Sequence, residues 1–480
     1  MVWNRAAKES SAPRGRPSRL GSGMIPITMQ VDSEPMRDEL SINELRRRLA
    51  QVLPGLLQNT VPSDPPNGEV EPAFFARLRG IPTVEVCRGG EALGVSPFFI
   101  PAEALDGPTA VIHGRETLML GSNNYLGLTR HPEVMEAARE ALERYGTSCT
   151  GSRLLNGTIP VHIEFEEEIA DFLGYPKAIL FSSGFMANQG ALSSLCRRGD
   201  QVFSDRDNHA SIVDGMTGFG VRYVRYAHND MEDLEKRIKS FEPGPPRLIV
   251  SDSVFSMSGE IVKLPQLMQV ARRHGALVYL DEAHGLGTLG ATGRGAAEHF
   301  GLSDKPDLVM GTLSKSLAAV GGFIAGPTVA IDFLRFCARS FVFSAAAAPA
   351  VAAAGLAALR ILRREPDRVE AARSNARYLA NGLRQLGFEC SSGTVPIIAV
   401  QAADAMEGCA MHFALVQAGV LTNMVLYPAV PKNEAMLRIS VMATHTRQHL
   451  DHALEVFETV GKKIGMIGSG DARRRERAVK

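Results

Sequence analysis

The sequence predicts an α/β protein with a large, mostly parallel sheet covered by helices and a smaller α+β domain towards the C-terminus. From about residue 118, short apolar runs alternate with amphipathic segments of ten or more residues, which is the pattern of strands joined by helices. The apolar runs show little polar alternation, which is typical of parallel strands buried on both faces. After about residue 345 the pattern changes to long helices and short strands, which indicates a second domain.

The predicted strands of the large sheet end in polar or glycine-containing turns. They lie at 178–181, 201–203, 247–250, 276–280 and 307–310. A typical segment between them is 265–275, where apolar residues share one helical face and Gly275 is expected to cap the helix. In the smaller domain the sequence predicts helices at 366–387 and 446–464 and strands at 396–401 and 435–441.

Composition shifts predict the domain boundaries. Leucines at helical spacing predict an amphipathic helix within 41–57. The alanine-rich stretch 344–359 is predicted to be a packed helix and not a membrane span. The predicted order is a disordered leader and helical arm (1–65), an N-terminal segment (66–125), the large domain (126–344), the small domain (345–463) and a disordered tail (464–480).

Charge and cysteine usage exclude several classes of function. Lys plus Arg equals Asp plus Glu at 52 each, so no overall field favours nucleic acid or an anionic membrane. The 6 cysteines are far apart and lack the spacing of a zinc site, so we expect no metal centre. They read as free thiols of a cytoplasmic protein. The first residues contain no apolar core of a secretory signal.

Ionisable side chains follow the carboxyl ends of the predicted strands. His209, Asp281, His284 and Lys315 each lie in such a loop. Because open parallel sheets bind ligands beyond these ends, we expect the four groups to meet in one crevice.

Competing motifs are weaker. GLGTLG at 285–290 satisfies GxGxxG, but DEAH separates it from the preceding strand, which the dinucleotide fingerprint does not allow. No GxxxxGK[ST] loop accompanies DEAH, and no GxSxG elbow is present.

The crevice has the groups that a phosphorylated aldehyde cofactor needs. Small apolar residues around Lys315 favour a neutral, nucleophilic amine. Thr312, Ser314 and the turn SSG at 182–184, which opens a helix, offer donors for a phosphate. Asp281, directly after an apolar strand, is placed to hold a pyridine nitrogen positive. The sequence therefore predicts pyridoxal 5′-phosphate (PLP) as the cofactor.

At this point the sequence resembles the α-oxoamine synthases, a branch of the fold-type I PLP enzymes. The resemblance covers roughly residues 95–460 and leaves out the leader and the arm. Matching stretches are SNNYLGL (122–128), GSRLLNGT (151–158), FSSGFMANQG (181–190), DNHASIVDG (207–215), VFSMSGE (254–260), DEAHGLGTLGATGRG (281–295), TLSKS (312–316) and MLRIS (436–440).

The resemblance implies a role for each matching residue. Lys315 would form the Schiff base, Asp281 would pair with the pyridinium, His209 would stack on the ring and His284 would donate to the ring oxygen. The remaining expected site residues are Gly184, Phe185, Thr312 and Ser314 for the phosphate, Ser256 beside the cofactor, Arg438 for the substrate carboxylate, and Asn124 and Tyr125 for the substrate loop.

The family condenses a small amino acid with an acyl thioester and releases CO2 and an α-amino ketone. The stretches 207–215, 228–237, 427–440 and 442–446 look most like serine palmitoyltransferases. The resemblance thus implies L-serine and a long-chain acyl thioester as substrates, 3-ketosphinganine as product, and a homodimer. Two alternatives to this function remain. One is another member of the family that uses alanine or glycine, and the other, less favoured, is an aminotransferase.

Two features depart from the family pattern. FSAAAAP (343–349) has alanines where relatives often carry a hydroxyl that reaches the neighbouring subunit's phosphate. The helical arm raises the hypothesis that an acyl-carrier protein delivers the acyl group, with acyl-coenzyme A as the other possible donor.

Overall fold

The computed structural model describes residues 40–53, 73–76, 82–218 and 222–468. All of them belong to one unit that runs from Glu39 to Lys480. The predicted leader before residue 40, the end of the arm and the tail after residue 468 lie outside the described residues.

The strands follow the predicted order, with additions. They are β1 (Ala104–Leu105), β2 (Thr109–Ile112), β3 (Arg115–Met119), β4 (Lys177–Phe181), β5 (Gln201–Asp205), β6 (Tyr223–Tyr226), β7 (Arg247–Asp252), β8 (Leu277–Asp281), β9 (Leu308–Thr312), β10 (Gly322–Gly326), β11 (Ile397–Gln401), β12 (Val420–Leu421), β13 (Asn423–Val425) and β14 (Met436–Ser440).

The helices of the described residues alternate with these strands. They are α1 (Ile42–Val52), α2 (Ala73–Ala76), α3 (Pro82–Ala92), α4 (Pro132–Tyr145), α5 (Pro160–Leu173), α6 (Gly184–Leu195), α7 (Ala210–Thr217), α8 (Met231–Lys239), α9 (Leu264–Arg273), α10 (Ala296–His299), α11 (Thr328–Cys337), α12 (Arg339–Val342), α13 (Pro349–Arg364), α14 (Asp367–Leu386), α15 (Ala405–Gln417) and α16 (Arg447–Ile464).

The central sheet has 7 strands in the order β4-β10-β9-β8-β7-β5-β6. Strands β5 to β9 pair in parallel, whereas β10 is antiparallel to both β4 and β9. The predicted α/β class with a mostly parallel sheet is confirmed. Two strands of this sheet were not predicted. The sequence of β6, YVRY, mixes polar with apolar residues, and that of β10, GFIAG, contains two glycines.

Helices cover both faces of this sheet. Along β4, Leu180 packs with Phe165 of α5 and Leu356 of α13. Its neighbour Ile179 points to the other face and packs with Leu192 of α6. Burial on both faces explains why these strands lack polar alternation.

Two smaller sheets flank the large one. Strands β11, β14 and β13 form an antiparallel sheet, the smaller C-terminal sheet that the fold class predicted. In the other, β12 pairs in parallel with β3, so that Val420 lies opposite Leu118. The N-terminal segment and the C-terminal region therefore share a sheet, while the exact domain boundaries stay a prediction.

The helical arm packs against the protein itself. Leu45 and Leu49 of α1 are 1% and 2% exposed and join the core of the C-terminal region. The Arg46 guanidinium donates to the carbonyl of Ile464 at the end of α16 (2.8 Å). Among the described residues, no helix is long and apolar enough to cross a membrane.

Candidate active site

The loops after β4, β5, β7, β8 and β9 meet at one edge of the central sheet. Asp252 and Asp281 are the last residues of β7 and β8, while Gly184, His209 and Lys315 follow the ends of β4, β5 and β9. This convergence follows from the parallel strands, whose carboxyl ends share an edge.

Lys315 lies in a tight loop between β9 and β10. The loop is closed by hydrogen bonds from Leu313 N to Gly321 O (3.0 Å) and from Ala319 N to Leu313 O (2.9 Å). The half-buried amine has no hydrogen-bond or ion-pair partner among the described residues. Burial lowers the pKa of the amine, the carboxylates of Asp281 and Asp252 oppose this, and Arg438 adds to it. A lowered pKa makes the neutral, nucleophilic form more abundant.

Asp281 ends β8 and is 3% exposed. Its Oδ2 accepts from Asn188 Nδ2 (2.7 Å) and its Oδ1 from Ala283 N (2.8 Å). Both oxygens accept, which is the arrangement that suits an ionised carboxylate.

His209 opens α7 and exposes its ring to the cleft. Its Nδ1 lies 2.8 Å from Ser211 Oγ and accepts from Ser211 N (3.2 Å). Partial burial lowers the pKa of the imidazole, an effect that Asp281 opposes and Lys315 reinforces. Burial and Lys315 thus favour the neutral form of the ring.

His284 and Tyr125 form a buried pair. His284 Nδ1 lies 2.8 Å from the Tyr125 hydroxyl, and both residues are under 10% exposed. Burial lowers the pKa of His284 well below its ordinary value, and the nearby cations Lys315 and Arg438 lower it further.

Arg438 is a buried arginine that neutral groups hold in place. Its Nε donates to Ser256 O (2.5 Å), its Nη1 to Asn123 Oδ1 (3.0 Å) and Ser440 Oγ (2.9 Å), and its Nη2 to the Tyr125 hydroxyl (3.3 Å). No carboxylate of the described residues forms an ion pair with it. Because a buried charge without a counter-ion is costly, the site is suited to an anionic ligand.

The expected phosphate site lies at the start of α6. Ser183 Oγ accepts from Met186 N, whereas the N–H groups of Gly184 and Phe185 occupy the first turn, where a helix leaves them unpaired. A Cβ at residue 184 would lie 3.0 Å from Met310 Cε and 3.1 Å from Thr312 Oγ1, so a larger residue would crowd this cradle. The two hydroxyls of the predicted set, Thr312 Oγ1 and Ser314 Oγ, are 2.7 Å apart.

Asn124, which was expected in the substrate loop, makes its hydrogen bonds within its own loop. The Asn124 side chain accepts from Leu128 N (3.0 Å) and donates to Thr129 Oγ1 (2.8 Å), so it holds its own loop. Its neighbour Asn123 contacts Arg438 instead. The motif SNNYLGL located the loop, but only the backbone conformation decides which asparagine points inward.

Several buried residues of the site went unpredicted. Asp252 lies opposite Asp281 on the neighbouring strand. It was not predicted because it belongs to no recognised sequence motif. Asn188, Ser211 and Ser440 lie within the matching stretches but resemble ordinary helix and strand residues. Only their burial and hydrogen bonds mark them.

Comparisons with known proteins agree with this geometry. The family model described as aminotransferase class I and II matches residues 115–457. The chain is 44% identical to the serine palmitoyltransferase of Bacteriovorax stolpii over 76% of this chain and 87% of that protein. It is also 45% identical, over 74% of this chain and 46% of that protein, to a Mycobacterium tuberculosis protein named putative 8-amino-7-oxononanoate synthase 2.

A solved structure extends the likeness to the fold. The serine palmitoyltransferase from S. paucimobilis with PLP and myriocin gives a TM-score of 0.78 at 38% identity, covering 80% of this chain and 98% of that one. The chain belongs to the aminotransferase class I and II family of fold-type I PLP enzymes, in its α-oxoamine synthase branch. Within that branch it is similar to the serine palmitoyltransferases, and its cofactor is PLP.

Proposed function

We propose that this protein condenses L-serine with a long-chain acyl thioester, releasing CO2 and a free thiol and giving a 3-ketosphinganine-type α-amino ketone. The observation that carries the proposal is the buried Arg438, which lacks a carboxylate partner among the described residues and lies close enough to Lys315 to lower the pKa of its amine. This pairing brings a carboxylate-binding guanidinium and a nucleophilic amine to one cleft. The 44% identity to a serine palmitoyltransferase supports serine as the amino acid.

The residues present fit PLP. Gly184, Phe185, Thr312 and Ser314 would hold the phosphate through N–H and hydroxyl donors. Asp281 would face the ring nitrogen, because it supplies a buried negative charge. When bound, PLP supplies an electrophilic carbon and a ring that stabilises negative charge at the substrate carbon.

The chain's own groups then have separate tasks. The Lys315 amine would serve as the nucleophile that holds the cofactor and, in its free form, would take the substrate Cα proton onto Nζ. Arg438 orients serine by binding its carboxylate through paired N–H donors. The His209 ring would pack against the cofactor, while His284, joined to Tyr125, is placed to act as a hydrogen-bond donor.

Assembly and location are also proposals. We propose a homodimer, as the family resemblance implies, and a cytoplasmic location, which the free state of the 6 cysteines supports. Light scattering of the active enzyme tests the first, because an active monomer would contradict it. Fractionation of the source cells tests the second.

The acyl donor is either coenzyme A-linked or carrier-linked. The apolar face of α1 is buried in the protein, so a carrier protein would have to bind the polar face, where Arg47 is exposed. Arg47→Glu should reduce the rate with acyl-carrier protein and leave the rate with acyl-coenzyme A unchanged. A rate with acyl-carrier protein equal to that of the parent enzyme would remove the carrier from the proposal.

The activity is tested by incubating purified holoenzyme with palmitoyl thioester and L-serine, L-alanine or glycine. Mass spectrometry should detect the amino ketone from serine, with CO2 release, and no product in Lys315→Ala. Turnover of alanine alone would favour the 8-amino-7-oxononanoate synthase alternative, which the Mycobacterium tuberculosis relative suggests. Glutamate-dependent amino transfer without CO2 release would favour an aminotransferase.

A further inference from the structure

A fully buried amide connects two residues of the active site. Asn188 of α6 is 0% exposed, and its Nδ2 donates both to Asp281 Oδ2 (2.7 Å) and to Ser211 Oγ (2.8 Å). Its Oδ1 accepts from the Tyr279 hydroxyl (2.7 Å). Both N–H groups and the carbonyl of the amide are thus engaged inside the protein.

The direction of these hydrogen bonds is fixed. If the amide were flipped, Asn188 Oδ1 would face the Asp281 carboxylate, oxygen against oxygen, so Nδ2 must be the atom that faces Asp281. Ser211 Oγ then accepts from Asn188 and must direct its own hydrogen towards His209 Nδ1, 2.8 Å away. The Ser211 N–H donates to the same nitrogen (3.2 Å).

We propose that Asn188 is a positioning residue. It donates to both Asp281 and Ser211, and Ser211 in turn donates to His209 Nδ1. This relay of hydrogen bonds couples the negative charge of Asp281 to the neutral, Nε2-protonated form of His209. The proposal deepens the proposed function, since it concerns the two residues expected on either side of the cofactor. A positive His209 would need its proton on Nδ1, which two donors from Ser211 oppose. The relay thereby keeps the ring neutral while Asp281 stays negative.

The other charged groups around His209 do not produce this preference by themselves. Asp281 and Asp214 favour a positive ring, and Lys315 disfavours it. Asp252 accepts from the His209 backbone N–H (2.9 Å) and does not touch the ring. His284, which itself has a pKa lowered by burial, adds no counter-charge.

The decisive variant is Ser211→Ala, which removes the hydroxyl and leaves the Asn188–Asp281 hydrogen bond in place. Two-bond ¹⁵N–¹H spectra of the holoenzyme with ¹⁵N-labelled histidine report the protonated nitrogen, with His209→Gln assigning the signals. We expect Nε2-protonated His209 in the parent enzyme. In Ser211→Ala the pKa of His209 should rise by about half to one pH unit, because a donor to Nδ1 is lost. The acid limb of kcat/KM should move with it.

Matched variants separate positioning from loss of a buried hydrogen bond. Ser204→Ala also removes a fully buried hydroxyl, which donates to Asp205 O (3.1 Å) and accepts from Asn208 Nδ2 (2.9 Å). This hydroxyl has no hydrogen bond to His209 or Asp281, so the variant should leave the protonated nitrogen of His209 unchanged. Tyr279→Phe frees the Asn188 carbonyl and should weaken PLP retention about tenfold, measured by dialysis and absorbance. If Asn188→Ala does not fold, these two variants and Ser211→Ala still decide the question.

An Nδ1-protonated His209 in the parent enzyme would overturn the relay. So would a Ser211→Ala enzyme whose His209 pKa equals that of the parent. Neither readout needs serine or an acyl thioester, so the relay can fail while condensation activity is intact. Equally, absence of condensation would leave the tautomer result standing.

Discussion

Asp252 and Asp281 lie directly opposite each other at the ends of the neighbouring parallel strands β7 and β8. Two carboxylates this close in a buried site do not both stay ionised easily. Burial raises the pKa of Asp252 well above its ordinary value, and the charge of Asp281 raises it further. Burial and the neighbouring carboxylate of Asp281 thus both disfavour the ionised form of Asp252.

This difference predicts unequal effects for the same substitution at the two positions. Asp252→Asn replaces an acid whose ionised form is disfavoured by an amide that can still accept from the His209 N–H, so activity should stay within about threefold. Asp281→Asn removes the only charge expected at the ring nitrogen and should lower kcat/KM by about 100-fold or more. Steady-state kinetics with PLP in excess measures both. A loss in Asp252→Asn as large as that in Asp281→Asn would contradict this difference between the two carboxyl groups.

Arg438 should govern serine binding more than cofactor binding. Arg438→Lys keeps the positive charge but loses the paired N–H donors, so the KM for L-serine should rise about 10- to 100-fold. The KM for the acyl thioester and the retention of PLP in the same variant are internal controls and should change less than about threefold. An unchanged KM for serine would remove Arg438 from the carboxylate site.

His412 should make the protein sensitive to acid. It lies buried in α15, neither ring nitrogen has a hydrogen-bond partner among the described residues, and burial lowers its pKa from 6.5 to about 4. The unfolded chain therefore binds the proton more readily, so stability is present above pH 6.5 and falls as the pH drops towards 4. His412→Leu should reduce the loss of unfolding free energy between pH 7.5 and pH 5 by about 2 kcal/mol.

Urea denaturation at the two pH values measures this difference. His452→Leu on α16 makes the same substitution at an exposed position and serves as the control. If both variants lose stability on acidification as the parent does, His412 is not the acid-sensitive group.

The arm should stabilise the C-terminal region that carries Arg438. Leu49 of α1 is 2% exposed, so Leu49→Ala should lower the unfolding free energy by about 3 kcal/mol through lost burial and the cavity left behind. Gln51→Ala, an exposed change on the same helix, should have an effect below about 0.5 kcal/mol. Chemical denaturation followed by circular dichroism compares them. Equal stability of the two variants would mean that the arm is not part of the folded core.

Much of the fold could be predicted from sequence because its signals are local. Strands such as β8 are continuous apolar runs that end at an ionisable residue, and α14 ends at Gly387, which takes a left-handed conformation. Strand β12 could not be predicted, since two residues carry no periodicity and its pairing with β3 joins positions about 300 apart in the chain. Asn188 likewise looks like any helix residue until its helix packs beside β8.

The sequence by itself determined which ionisable side chains are available to the candidate active site. Lys315, Asp281, His209 and Arg438 are each recognisable from a short stretch, because the residue type and its place after a strand carry the information. The tertiary structure decided the environment of each of these groups. Asp281, for example, is buried, lies opposite Asp252 and accepts a hydrogen bond from the amide of Asn188. These effects act through space between strands and helices that lie far apart in the chain.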